Sequence, residues 1–245
     1  GKVKKTVGKV KKPEKAKGKI TFKLNISGHP EYAQGKFAIG IKKSKSAYSV
    51  ISPKSYVSNP EKLSTNTAAY FVPGTKKGIQ ATDINELTDT KSKTVFFNLY
   101  ISDLMRKDSG VETYKYNGKT YQYSSNCIAK LDQTLLMYDR NNIIVNAILL
   151  WQPDQNPHSF GYPGANASIG AYHGWNVVSK EGIECISAAI HFLGERYGRS
   201  DHAYGHIASW TVGNEVNADT SWNYTGHQSA PDYAYIYTNM MRITS

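Results

Sequence analysis

Four short strand-like runs, at residues 77–80, 94–101, 143–151 and 207–213, the last three of them largely apolar, are separated by stretches whose apolar residues recur at helical spacing. Thr82 or Asp83 is placed to cap a short helix through Leu87, and Ser125 to cap a second whose stripe is Ile128, Leu131, Leu135 and Tyr138. A third helix is expected from about 179 to 197, burying Ile183, Ile186, Ile190 and Leu193, with Gly198 at its C′ position. Pro231 opens a fourth, which carries Tyr233, Ile236, Tyr237 and Met240. The runs at 94–101 and 207–212 read as buried strands, the latter covered on both faces as in parallel sheets. Alternating β and α elements predict an α/β protein with a parallel sheet. Four units fit the first half of a (β/α)8 TIM-type barrel over 71–245, truncated after strand four. A doubly wound open sheet shares this rhythm, but would normally show a glycine-rich first turn.

Upstream, residues 20–26, 36–42 and 47–51 alternate in the manner of antiparallel strands, with Ser27-Gly-His-Pro30 as a turn. They predict a small, incomplete β module over 20–70, preceded by a Lys-rich arm or linker over 1–19; the link Ser52 to Thr75, containing Pro53, Pro60 and Pro73, reads as irregular.

The stretch Tyr114-Lys-Tyr-Asn-Gly-Lys-Thr-Tyr-Gln-Tyr123 reads as a hairpin turning at Asn117-Gly118. Its register sets Tyr114, Tyr116, Tyr121 and Tyr123 on one face. Because the hairpin follows the second run, that face is expected over the carboxyl end of the sheet, where rings could stack on a ligand; packing against the long segment 152–175 is the alternative. The long segment holds Asp154, His158, Tyr162, Tyr172, His173 and Trp175, directly after Trp151. Trp222 and Tyr224 follow the last run in the same way.

Charge changes the picture less than its total suggests. The net charge is +11, yet ten Lys and one Glu in the first 23 residues account for nine of those charges. The body is nearly neutral, so no basic face for specific nucleic-acid binding is expected, and the arm reads as solvated or as a contact for an anionic polymer. Cys127 and Cys185 fall in helical patterns and match no metal-ligand spacing; buried free thiols are expected, with a disulfide between helices as the alternative. No apolar run is long enough to span a membrane, and no export signal is visible at the start.

The last run ends abruptly in Gly213-Asn214-Glu215, placing an Asn and a Glu where barrel enzymes keep their chemistry. Lys76-Lys-Gly-Ile-Gln80, Val95-Phe-Phe-Asn-Leu99 and Trp210-Thr-Val-Gly-Asn-Glu-Val-Asn217 resemble domain-of-unknown-function family 5722, as do residues 36–42 through 58–61. That family looks like a member of the clan A glycoside hydrolase barrels. The resemblance implies a bacterial, extracellular or cell-surface protein that cleaves an oligo- or polysaccharide with retention and needs no metal or organic cofactor. It implies Glu215 as the acid/base and Asn214 as the contact to the sugar 2-hydroxyl. The nucleophile would come from strand seven, outside this segment. An Arg often ends strand two in the clan; here Asn98 to Asp103 include none, and Arg106 is displaced. Trp151, Trp175, Trp222 and the four hairpin tyrosines are the expected sugar-binding rings. A glycan-binding barrel without hydrolysis, and an adhesion protein using the arm, are the rival expectations.

Overall fold

A computed structural model describes residues 6–9, 24, 29, 32, 35–44, 47–56, 74–80, 83–106, 110–153 and 159–245. The strand expected over 20–26 lies, apart from Leu24, outside them, as do Thr82, Asp154, His158 and most of the arm. The chain divides into two units, Gly1–Ser64 and Thr65–Ser245. In the first, β1 (Gly40–Lys42) pairs antiparallel with β2 (Tyr48–Val50), and an isolated Phe37–Ser55 bridge extends the pair. Both strands are shorter than their alternating stretches.

The second unit begins with β3 (Gly78–Gln80) and α1 (Ile84–Asp89), whose cap is Asp83 accepting from the Asn85 amide at 2.9 Å. Then come β4 (Thr94–Tyr100) and α2 (Ile101–Leu104), so Ile101 leaves the expected strand to start a helical turn. The hairpin β5 (Val111–Tyr116) and β6 (Lys119–Ser124) runs straight into α3 (Ser125–Arg140). The cap of α3 is Ser124 rather than Ser125: its Oγ accepts from the Cys127 amide at 3.1 Å, a contact typically worth about 1 kcal/mol. β7 (Ile144–Leu150), α4 (Lys180–Tyr197), β8 (Ser209–Val212), α5 (Asp219–Trp222) and α6 (Ala230–Thr244) complete the order.

Strands β3, β4, β7 and β8 form one sheet in that order, and all three pairings are parallel. Register places Val95, Val145, Leu149 and Val212 on one face, where all are buried beneath the helices. That face carries the core, joined by Leu131 and Leu135 of α3, Ile186, Ala189 and Leu193 of α4, and Ile236 and Met240 of α6. Each fully buried aliphatic side chain there contributes roughly 1.5–3 kcal/mol of transfer free energy.

The opposite face differs from expectation. Gly78, Gln80, Phe96, Ser209 and Thr211 are exposed on it, and Asn98, Asn146 and Ile148 are half-buried. Phe96 shows 41% of its surface. The run at 207–212 is therefore covered on one face only among the described residues.

Helix α4 also departs from its expected stripe. Ile186 and Leu193 are buried, but Ile183 and Ile190 only partly, while Cys185, Ala189, Phe192 and Tyr197 complete the face. The cause is that α4 is packed on two sides, by the core and by the hairpin. Gly198 sits at the C-cap with φ −97, not in the left-handed region expected of a C′ glycine, and its amide bonds to Gly194 O at 2.9 Å. No disulfide joins Cys127 and Cys185; Cys185 is buried and Cys127 half-buried. Among the described residues no helix is long and apolar enough to cross a membrane.

Candidate active site at the carboxyl end of the sheet

The turn after β8 is built around Gly213 and Glu215. Gly213 has φ 73, and a Cβ there would meet Asn223 Oδ1 at 3.1 Å. Glu215, with φ 38, holds the left-handed conformation that non-glycine residues rarely adopt. Its carbonyl accepts from the Ala218 amide at 2.7 Å, closing the turn.

Helix α6 fixes this backbone from beneath. The Tyr237 hydroxyl donates to Val212 O at 3.0 Å and the Tyr233 hydroxyl to Val216 O at 2.8 Å. Asn223, 1% exposed, donates in turn to the Tyr233 hydroxyl at 2.8 Å. Burial raises the pKa of both tyrosines, so both stay protonated donors at neutral pH.

The Glu215 side chain is treated differently. It is exposed, and among the described residues its carboxylate has no hydrogen bond or ion pair; Asn214 beside it is half-buried. The strand end thus presents a fixed backbone with a free carboxylate.

A group of aromatic side chains gathers at the same end of the sheet. Tyr100 closes β4 on its open face, two residues beyond Asn98, whose Nδ2 donates to the Tyr100 hydroxyl at 3.4 Å. The Tyr100 and Tyr172 hydroxyls lie 3.5 Å apart, and the Tyr172 ring stands 5.7 Å from that of Trp222. All three rings are half-buried. Burial, aided by the Tyr100 hydroxyl, pushes the Tyr172 phenol up to about 12. Main-chain bonds from Ala171 N and Tyr172 N to Ser221 O, at 2.7 and 3.4 Å, join the segments that carry Tyr172 and Trp222. Tyr100 was invisible as a site residue in the sequence; its one signal is its parity with Asn98 at a strand end.

Other expected ring positions are occupied differently. Trp151 (2% exposed) stacks on Phe160 at 4.9 Å, and Phe160 packs edge-on against Trp175 (0% exposed) at 5.2 Å. Neither indole has a free face, because these rings form the internal core of the 151–179 segment. His173 is likewise buried, its Nε2 2.8 Å from Ile169 O and its ring 5.5 Å from that of Tyr224.

The hairpin has the expected register, with Tyr114 opposite Tyr121 and positive φ at Asn117 and Gly118. Its tyrosine face, however, packs along α4 instead of over the strand ends. Tyr123 lies 4.8 Å and Tyr114 5.3 Å from the Phe192 ring, Tyr116 lies 4.9 Å from the His191 ring, and the Tyr121 hydroxyl donates to Glu184 O at 3.4 Å. Tyr114 also donates to Glu195 at 2.6 Å. An apolar hairpin face needs a covering partner, and α4 supplies it.

Arg106 pairs with Asp103 at 2.6 Å. Residues 69–245 match the model of a family of unknown function, DUF5722. No curated protein and no solved structure matches the chain.

Proposed function

We propose, for a chain that belongs to DUF5722, a family of unknown function, that its second unit is the first half of a glycosidase-type (β/α)8 barrel. In this reading Glu215 is the acid/base of a retaining glycoside hydrolase, and the second carboxylate comes from outside these 245 residues. The observation that carries it is the Glu215 turn: a left-handed, tyrosine-clamped backbone at the end of a parallel strand, bearing a carboxylate without a partner among the described residues. Backbone strain of this kind collects at functional sites, and strand-end residues of parallel barrels carry the chemistry.

The uncovered face of the sheet supports the barrel half of the proposal. Strands that are parallel are normally buried on both faces, and closure with further strands would bury Phe96 and enclose Asn98, Asn146 and Thr211 in a polar interior. In the reaction, Glu215 donates its proton to the glycosidic oxygen while the second carboxylate attacks the anomeric carbon and the C–O bond breaks. The ionised Glu215 then takes a proton from the water that cleaves the glycosyl–enzyme ester. In this reading Asn214 bonds the sugar 2-hydroxyl.

The test is Glu215→Gln in the complete protein. Turnover of a natural glycan should fall by two to four orders of magnitude, roughly the worth of general acid–base catalysis. Glycosylation from an aryl glycoside with a good leaving group should fall far less. Full activity of the variant on the natural glycan would end the catalytic assignment of Glu215, whereas binding of glycans without any turnover by the parent protein would leave a glycan-binding barrel as the reading.

A further inference from the structure

We infer that the strand-end site takes an uncharged saccharide, held between the Trp222–Tyr172 ring pair and the Tyr100 and Asn98 polar groups, and that it discriminates against anionic sugars. This deepens the glycosidase reading and rests on it. The first observation is charge. The two segments that build the site, residues 159–179 and 213–229, contain no Lys or Arg, although the chain has 30. They do contain Glu215 and Asp219. The segment after β4 brings Arg106, whose guanidinium meets Asp103 at 2.6 Å, and Lys130 of α3 lines a pocket together with Asn98, Tyr100 and Arg106; Lys107 lies outside the described residues. A uronate or sulfated sugar stacked on Trp222 and Tyr172 would lose water without meeting a cation from either loop, and would face like charge from Glu215.

The second observation is the chemistry that remains. Three half-buried rings from three separate segments stand in sequence, Trp222 to Tyr172 at 5.7 Å and Tyr172 to Tyr100 at 6.1 Å. Their polar atoms are neutral: the indole N–H, two phenols 3.5 Å apart and the Asn98 amide at 3.4 Å from Tyr100. A neutral sugar offers an apolar C–H face to rings and a rim of hydroxyls to donors and acceptors of this kind. The rings and the cation-free loops are independent features of the sequence, and both select the same ligand class.

The experiment measures binding of the complete protein, in a Glu215→Gln background that prevents turnover, at 0.3 M NaCl. The probes are soluble neutral polysaccharides (glucans, xylan, mannan, galactan) and anionic ones (polygalacturonate, alginate, carrageenan). At least one neutral polymer should bind, and Trp222→Ala and Tyr172→Ala should each weaken that binding about tenfold or more, with circular dichroism unchanged. Tyr172→Phe, which keeps the ring, should weaken it less. Retention on anionic polymers through the Lys arm should survive Trp222→Ala. Trp222-dependent binding that favours an anionic polymer would overturn the inference but leave the glycosidase reading standing. Neutral binding unaffected by both ring variants would overturn the ring assignment. Absence of binding to every polymer, retention through the Lys arm aside, would end the glycosidase reading itself.

Discussion

Glu215 offers a test that needs no substrate, because its backbone and its side chain make opposite demands. At φ 38 a residue with a Cβ is disfavoured by roughly 1–2 kcal/mol relative to glycine. Glycine returns about 0.5–1 kcal/mol of that through the greater freedom of its unfolded chain. Glu215→Gly should therefore stabilise the protein by about 0.5–1 kcal/mol, since the Ala218 amide still reaches the carbonyl of residue 215 at 2.7 Å. For a domain of 150–250 residues that corresponds to an increase of about 1–4 °C in Tm. Glu215→Gln keeps the strained backbone and removes a charge that has no partner among the described residues, so it should stay within about 0.5 kcal/mol of the parent. Urea unfolding followed by far-UV circular dichroism reads both changes as shifts in Cm at constant slope. The combination of a more stable Gly variant and a neutral Gln variant, both with impaired turnover, is what a residue kept for chemistry at the expense of stability shows. A loss above about 0.5 kcal/mol for Glu215→Gly, or above 1 kcal/mol for Glu215→Gln, would mean that the side chain is structural and would refute the reasoning.

Two further outcomes follow from buried polar groups. The Tyr123 hydroxyl is buried with no hydrogen-bond partner among the described residues; Tyr123→Phe should raise stability by about 1 kcal/mol, and a destabilised variant would show that the hydroxyl is satisfied. Burial, then the His202 ring stacked 4.2 Å away, lowers the His206 pKa. The folded state thus binds a proton less readily than the unfolded chain, so this contribution is present above the unfolded value near 6.5 and is lost as pH falls below it. The fall in Cm between pH 7.5 and 5.5 should be smaller in His206→Gln than in the parent, and an unchanged fall would remove His206 as its source.

The four strands were legible because three largely apolar runs, alternating with helical stretches, leave few alternatives to a parallel sheet. Their cover was not: an apolar run does not reveal whether a second layer is present, and Phe96 and Thr211 are exposed all the same. Ser124 and Ser125 are interchangeable as caps by sequence; pairing of Val111 with Ser124 in the hairpin ladder selects the first. Asn117-Gly118 and the period-two tyrosines specified the hairpin and its aromatic face, since both are local. What covers that face depends on α4, more than 60 residues from Tyr121. The same distance problem hid the site. Trp151 and Trp175 read as binding rings by type alone but are spent on the core of their own loop, whereas Tyr100 and Tyr172, 72 positions apart, meet only after folding.

The division of labour around β8 bears on how the turn should be interpreted. A turn kept only for connection would satisfy its backbone locally and leave the following helix free to present solvent-facing residues. Here two half-buried tyrosines of α6 bond the main chain at 212 and 216, and buried Asn223 backs the Tyr233 hydroxyl, while among the described residues the Glu215 side chain makes no hydrogen bond or ion pair. Removing either hydroxyl would free a carbonyl flanking Glu215 and loosen its position without touching its carboxylate. Such support from behind, with the front left bare, is how a reactive group is held in place for a ligand. In the proposed reading, the rings of Tyr100, Tyr172 and Trp222, the cation-free loops and the open polar face of the sheet define what a ligand would meet: neutral donors, apolar planes and one carboxylate.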